Sequence, residues 1–308
     1  MQKNRVVLIA ILACLVGIYF FVRSRGPQER QYPIFDLDSL AIAQIEVFDQ
    51  ANTLKLEKQK GKWMLVEPVK WEADTLRIQS LFQDVLSAEY PKTPMGKGKE
   101  AIERFKLKDN EALHIKISNA RGSKSNHIMF SNMGNPFDYF RYAGKDEIYQ
   151  IKAKVMTIYT TELPMWRSPD VVSITEDQIS RMEISNINNS YTLSLKEYDW
   201  YYKDQQEDFM IPRTNRAIAK ILNIISTFQT YVFVDDTTPE QVAKFATPEC
   251  TVQIFLKNGT KQVLKFVKRG EQEYLMMVDN DPSVLFAVTP DSVHRFMRTA
   301  DIFKMKVF

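Results

Sequence analysis

Seventeen uncharged residues, Val6 to Val22, form the longest apolar run of the chain, held between Lys3 and Arg5 on one side and Arg23 and Arg25 on the other. At the rise of an α-helix this run spans about 26 Å, slightly less than a hydrocarbon core, and the flanking arginines can snorkel to the headgroups. Tyr19, Phe20 and Phe21 crowd its exit end, where an aromatic belt would lie. The run therefore predicts a transmembrane anchor over residues 1–27. A cleaved signal peptide and a buried helix are the alternatives, although Ser24-Arg25-Gly26-Pro27 offers no small-residue cleavage site. The charges flanking the run nearly balance. A short head ahead of a long polar remainder nevertheless has the form of an uncleaved signal anchor, which puts that remainder outside the cytoplasm.

Beyond the anchor the pattern of apolar positions repeats. Shifting the chain by 137 positions lays Ile45-Glu46-Val47 on Met182-Glu183-Ile184, Leu56 on Leu193, Trp63 on Trp200, Gly122 on Gly259, Ile148-Tyr149 on Leu285-Phe286 and Trp166 on Phe303. In between, the shift is 140, with Leu81, Phe82 and Val85 falling on Ile221, Leu222 and Ile225, and Phe105 on Phe245. A three-residue insertion after the second Trp, undone before the later strands, accounts for the change. Repeats of this length imply one module used twice, here over 28–172 and 173–308.

Within each copy, alternating apolar and polar residues at Ala43–Leu56 and Met182–Leu195, interrupted by Asp49-Gln50-Ala51-Asn52 and Asn186–Asn189, predict an antiparallel hairpin. A third strand holds the Trp. Ile78, Leu81, Phe82, Val85 and Leu86 then recur at helical spacing, with Asp74 or Thr75 placed to cap; their counterparts are Ile218, Ile221, Leu222 and Ile225, capped from Thr214 or Asn215. Short β runs follow at 113–118, 127–131, 137–143 and 147–151, and again at 251–256, 262–267, 273–278 and 284–288. A short helix near 155–160 or 290–299 closes each copy. Strands joined locally with few helices predict an α+β fold, antiparallel sheets with packed helices, preceded by the transmembrane helix.

Composition changes this picture little. The 308 residues are 44% apolar and 26% charged, which suits globular cores rather than disorder. With 41 basic against 38 acidic residues the charge is +3, and acids are interleaved with bases, so no nucleic-acid partner is expected. Cys14 lies in the apolar run and Cys250 far from it, so no disulfide is expected between them.

Candidate chemistry is sparse. His114, His127 and His294 lack the spacing of metal ligands, and packing is the expected role of the first two. Gly96-Lys97-Gly98-Lys99 is not a phosphate loop and reads as a solvated loop. Asp235-Asp236 precedes Thr237-Thr238-Pro239-Glu240, where acids favour a helix start. Glu46 and Glu183 belong to different copies, unlike the ~5–9 Å pairs of catalytic carboxylates. Trp63 and Trp200 read as core anchors, with an aromatic ligand shelf as the alternative. Asn188-Asn189-Ser190 and Asn258-Gly259-Thr260 match glycosylation sequons. No catalytic, cofactor-binding or metal-binding residue is assigned. The candidate partner surface is Tyr139, Phe140, Trp200 and Tyr201.

Gly61-Lys62-Trp63-Met64-Leu65-Val66-Glu67-Pro68, then Ala73-Asp74 and the helix from Ile78 to Ala88, resemble the bacterial DUF4340 family, a domain of unknown function. The second copy departs from that pattern: Trp200 and Pro212 stand farther apart, and Arg213-Thr214-Asn215 replaces Ala-Asp. The resemblance implies a bacterial inner-membrane protein with a periplasmic soluble part, in some cases associated with ABC-type transporters of the gliding-motility auxiliary kind. The expected function is that of a non-enzymatic accessory or scaffold without a cofactor. The alternatives are a module binding an envelope glycan, lipid or peptide and, less favoured, an enzyme using scattered carboxylates.

Overall fold

The computed structural model describes residues 30–131, 137–151, 155 and 158–305, together with 12, 14–19 and 21. Most of the expected anchor, Val6–Val22, lies outside the described residues. Those of its residues that are described are helical with exposed side chains, and no helix among the described residues is long and apolar enough to cross a membrane.

The chain divides into two compact units, Met1–Trp166 and Arg167–Phe308. Asp170–Val172, placed at the end of the first copy by the repeat, thus belongs to the second unit, where it pairs with Phe228–Gln229. Strands predominate in both units and helices are few.

In the first unit, nine strands form one antiparallel sheet: β1 (Ile42–Phe48), β2 (Thr53–Gln59), β3 (Lys62–Glu67), β4 (Trp71–Glu72), β5 (Gly96–Lys97), β6 (Leu113–Asn119), β7 (Ser125–Phe130), β8 (Asp138–Tyr142) and β9 (Glu147–Ile151). Their order across the sheet is β4-β3-β2-β1-β6-β7-β8-β9-β5. In the second unit the strands are β10 (Ile179–Asn186), β11 (Ser190–Lys196), β12 (Asp199–Lys203), β13 (Asp208–Met210), β14 (Phe233–Val234), β15 (Cys250–Leu256), β16 (Lys261–Lys268), β17 (Tyr274–Val278) and β18 (Leu285–Val288). Their order, β13-β12-β11-β10-β15-β16-β17-β18-β14, is that of the first sheet strand for strand.

Period-2 patterning explains how each sheet finds its core. Ile45 and Val47, Leu54 and Leu56, and Ile115 and Ile117 point to one face and are almost wholly buried, as are Met182 and Ile184, Tyr191 and Leu193, and Val252 and Ile254. On that face lies one helix per unit. Helix α1 (Thr75–Ser80) runs on into wider π-helical turns over Leu81–Leu86 and buries Ile78, Leu81 and Val85. After α2 (Lys99–Arg104) in the first unit comes α3 (Arg216–Ser226), the counterpart of α1, which buries Ile218, Ile221 and Ile225. Asp74 caps α1 by accepting the Arg77 amide at 2.7 Å, and Asn215 caps α3 by accepting those of Ala217 and Ile218.

The helix start is tied in both units to the unit's last segment. The Asp74 amide donates to Trp166 O, and Asn215 Nδ2 donates to the carbonyls of Ile302, Phe303 and Met305. Trp166 and Phe303 are fully buried. The repeat shift is not constant through the later strands. Ile115 faces Ile128 whereas Val252 faces Leu264, so Phe130 corresponds to Phe266, one residue short of the 137 shift, because the second hairpin is shorter by one residue. Gly122 and Gly259, at φ +67 and +85, make the left-handed turns of these hairpins.

The other helices are short: α2, then α4 (Pro239–Ala243), α5 (Pro290–His294) and α6 (Ala300–Lys304). Phe105 and Phe245, which follow α2 and α4, pack in separate smaller clusters with Ile148 and Leu285 respectively. The closing helix expected near 155–160 falls partly outside the described residues; the one expected at 290–299 is α5, followed by α6.

Candidate ligand groove

Trp63 stands two residues before Leu65 on β3 and so shares its inward face, but it is only partly buried at the edge of the core. Its ring is 6.0 Å from that of Phe82, tilted by 53°. Above these two rings opens a groove of about 540 Å³. The exposed side chains of Thr75, Gln79 and Gln83 on the helix form one wall, and Lys58 and Lys62 of the β2–β3 turn form the other. Lys62 Nζ is 2.9 Å from Glu72 Oε2 at the rim.

The second unit has the same groove at the equivalent residues, with a volume of about 430 Å³. Trp200, Ile218, Leu222 and Asn223 occupy the places of Trp63, Ile78, Phe82 and Gln83. At its rim Arg213 Nε is 2.6 Å from Asp199 Oδ1, and that hydrogen bond lowers the Asp199 carboxyl below its ordinary range. The two grooves differ in how the Trp is held. Trp200 is only 6% exposed and its Nε1 donates to Glu176 Oε1 at 2.8 Å. Trp63 is half-buried, and its Nε1 has no acceptor among the described residues, because Ser39 stands where the second copy has Glu176. A groove of this size with an aromatic floor, amide and ammonium walls and an available N–H donor suits an amphipathic ligand or a protruding side chain. The Trp pair accordingly has both roles weighed from sequence: each ring joins the edge of a core and lines a groove.

The candidate surface of Tyr139, Phe140, Trp200 and Tyr201 does not come together in either unit. Adjacent residues of a strand face opposite ways, which separates Tyr139 from Phe140 and Trp200 from Tyr201. Phe140 is wholly buried and offers no surface. Tyr139 packs on Phe105 at 4.7 Å, and Tyr201 lies under Lys196 Nζ at 4.6 Å. Of the four, Trp200 lines the groove of the second unit. The polar rim residues Gln79, Gln83, Glu176 and Tyr198 carry no motif; recognising them required knowing that the helix lies over the Trp.

For His114 and His127 packing is the expected role, and neighbouring strands β6 and β7 pack them on each other, with His114 Nδ1 within 2.9 Å of His127 Nε2. His114 Nε2 lies 2.8 Å from the Asp109 carbonyl, which can only accept, so the proton of His114 sits on Nε2 and its Nδ1 accepts from His127. Phe48 stacks on His114 at 4.5 Å. Burial, then the neighbouring His114 and Lys116, hold the His127 imidazole below its ordinary pKa. His294 is exposed on α5. Two imidazoles could supply two metal ligands, but among the described residues no three His, Cys, Asp or Glu side chains are grouped as a metal site.

Two further expectations change. Gly96–Lys97 is strand β5, followed directly by α2, rather than a loop, and Lys97 pairs with Glu147 at 2.7 Å. Helix α4 is capped by Thr238 in a capping box with Gln241. Asp235 instead accepts both terminal nitrogens of the buried Arg167, at 2.9 and 2.7 Å. Glu46 pairs with Lys116 and Glu183 with Arg181, both across or along their strands. Cys250 is buried at the position equivalent to Leu113, and burial pushes its thiol up to about 12, the mark of a packing residue.

No curated protein and no solved structure matches the chain. A family model described as a domain of unknown function matches residues 63–248, more than half of the 308, from Trp63 in the first unit to a point beyond Trp200 and α3 in the second. Both Trp residues and both groove helices therefore lie within the matched span, and the chain belongs to the DUF4340 family.

Proposed function

We propose that the chain is a membrane-tethered, extracytoplasmic, non-enzymatic accessory protein that works by binding, and that its repeated grooves are the contact sites. The observation that carries this reading is the recurrence of one groove at equivalent residues of both units, with a Trp at its floor and a helix as its wall. In the first copy the Trp is half-buried at the opening, and in the second, although nearly covered, it still lines the equivalent groove. The apolar run Val6–Val22 supports attachment to the bacterial inner membrane, and the resemblance to transporter-associated relatives supports an ABC-type transporter subunit or another envelope protein as partner. A photo-crosslinking residue at Gln79 or Ala219, both exposed on a groove wall, tests the proposal in native membranes at near-endogenous expression. Reproducible capture of the same envelope protein from both positions is expected. Capture of none removes the proposal.

A second reading has its own support in the unengaged Trp63 indole N–H beside Gln79 and Gln83: the first groove would take an envelope glycan, lipid or peptide directly. Calorimetric titration of envelope fractions into the chain should then give saturable heat that Trp63→Phe weakens. Heat unchanged by that substitution counts against the reading.

A further inference from the structure

The second unit carries a cluster of cations that its otherwise equivalent partner lacks. Arg216 and Lys220, one turn apart on α3, and Arg295 and Arg298, just beyond α5, line one pocket of about 200 Å³, and no carboxylate lines it. Arg295 is engaged by Asp291, whose Oδ2 lies 3.2 Å from Nε and 2.5 Å from Nη2. Arg216, Lys220 and Arg298 have no ion-pair partner among the described residues. The Asp291 carboxyl is pulled below its ordinary value first by Arg295 and then by Lys220 and Arg298, so a single carboxylate faces three cations.

The fold does not require this charge. At the equivalent positions the first unit has Leu76, Ser80, Ile158 and Thr161, none of them basic, on the same framework. Two like charges one turn apart also work against a helix unless something neutralises them. Nor are the free helix amides the donors, since Asn215 Oδ1 already takes those of Ala217 and Ile218. The groups available to a ligand are the guanidinium and ammonium groups themselves, which match the oxygens of a tetrahedral oxyanion, the guanidiniums in forked pairs.

We propose that this pocket binds a phosphate group, free or as part of a larger molecule, with Arg216, Lys220 and Arg298 as its ligands and Arg295 as a support held by Asp291. Ile302 and Met305 on the same pocket leave an apolar flank for whatever the phosphate is attached to. The inference is independent of the grooves and holds whether or not they bind a partner.

The test uses the full chain in a non-ionic detergent. Pyrophosphate and inorganic phosphate are titrated calorimetrically against acetate as a carboxylate control, and short-chain phosphatidylglycerol is titrated beside short-chain phosphatidylcholine in the same detergent. Expected is binding of pyrophosphate well above acetate, weakened by salt, with each of Arg216→Gln, Lys220→Gln and Arg298→Gln costing about tenfold in affinity. Lys203→Gln, at a lysine paired with Asp208 elsewhere in the unit, should change nothing. Binding of the soluble anions identifies a free phosphate ligand. Saturable binding of phosphatidylglycerol but of neither phosphatidylcholine nor the soluble anions, lost in the triple variant, identifies a lipid headgroup. Neither, or binding that the triple variant retains with an unchanged melting curve, overturns the proposal.

Discussion

Asn215 does in one side chain what several residues share in the first unit. Its Oδ1 caps two amides of α3, while its Nδ2 serves three carbonyls of the unit's last segment at 2.8 to 3.1 Å, all at 3% exposure. Removing it orphans buried groups at both ends of the contact, whereas the Asp74 carboxylate accepts the Arg77 amide alone among the described residues. Asn215→Ala should therefore destabilise by about 2–4 kcal/mol and Asp74→Ala by about 1 kcal/mol, as read from urea midpoints. The sequence pointed to the cap in both cases but not to the carbonyls, because Ile302 to Met305 are far away in the chain and nothing in their own pattern marks them as acceptors.

His127 sets a pH dependence whose sign follows from its burial beside His114 and Lys116: its folded pKa lies below the ordinary 6.5. Unfolding frees it to take a proton. Stability attributable to His127 is thus intact above about 6.5 and is lost as pH falls from there toward the lower folded value. His127→Gln should reduce the drop in urea midpoint between about pH 7.5 and pH 5.5; an undiminished drop would show that other groups carry it. Two histidines thirteen residues apart, on strands of unknown register, cannot be recognised as neighbours from spacing alone.

At the scale of elements, helix and sheet are joined by a few residues that recur. Leu81 and Val85 in the first unit, and Ile221 and Ile225 in the second, are completely buried against the strands. Ile221→Ala should cost about 2–5 kcal/mol and Ile221→Val about 0.5–1.5 kcal/mol, a graded loss in melting experiments that distinguishes packing from a disturbed cap. These contacts were legible because apolar spacing alone marks a helical face. The hairpins were legible for the same reason, and their turns more so: Asp49 and Asn186 each accept amides two and three residues on. The short helices hold fewer than two turns of pattern: α2 was unmarked, and α4 was marked by its start alone, Thr237-Thr238-Pro239-Glu240. The widening of α1 into π-helical turns over Leu81–Leu86, where α3 is regular, has no signature in the sequence that we can identify.

At the scale of the whole chain, the duplication was readable because Trp63/Trp200 and Trp166/Phe303 mark both ends of the module. The single-residue slip in the later strands was not, since Met129 and Phe130 are both apolar and either alignment looks acceptable. The cation pocket was equally hidden: its basic residues come from helix α3 and from the turn beyond α5, in a chain whose charges nearly cancel. If the apolar run tethers the chain, deleting residues 1–27 should move it from the membrane to the soluble fraction after lysis; retention in the membrane fraction would place the attachment elsewhere.

Both sheets end, on both sides, in strands of two or three residues: Trp71–Glu72 and Gly96–Lys97 in one, Asp208–Met210 and Phe233–Val234 in the other. A margin that short gives a stray strand almost nothing to zip onto. Two nine-stranded sheets on one chain would otherwise be an invitation to edge-to-edge aggregation, the more so if many copies crowd one surface. The narrow outer strands therefore act as guards that keep a β-rich molecule from polymerising.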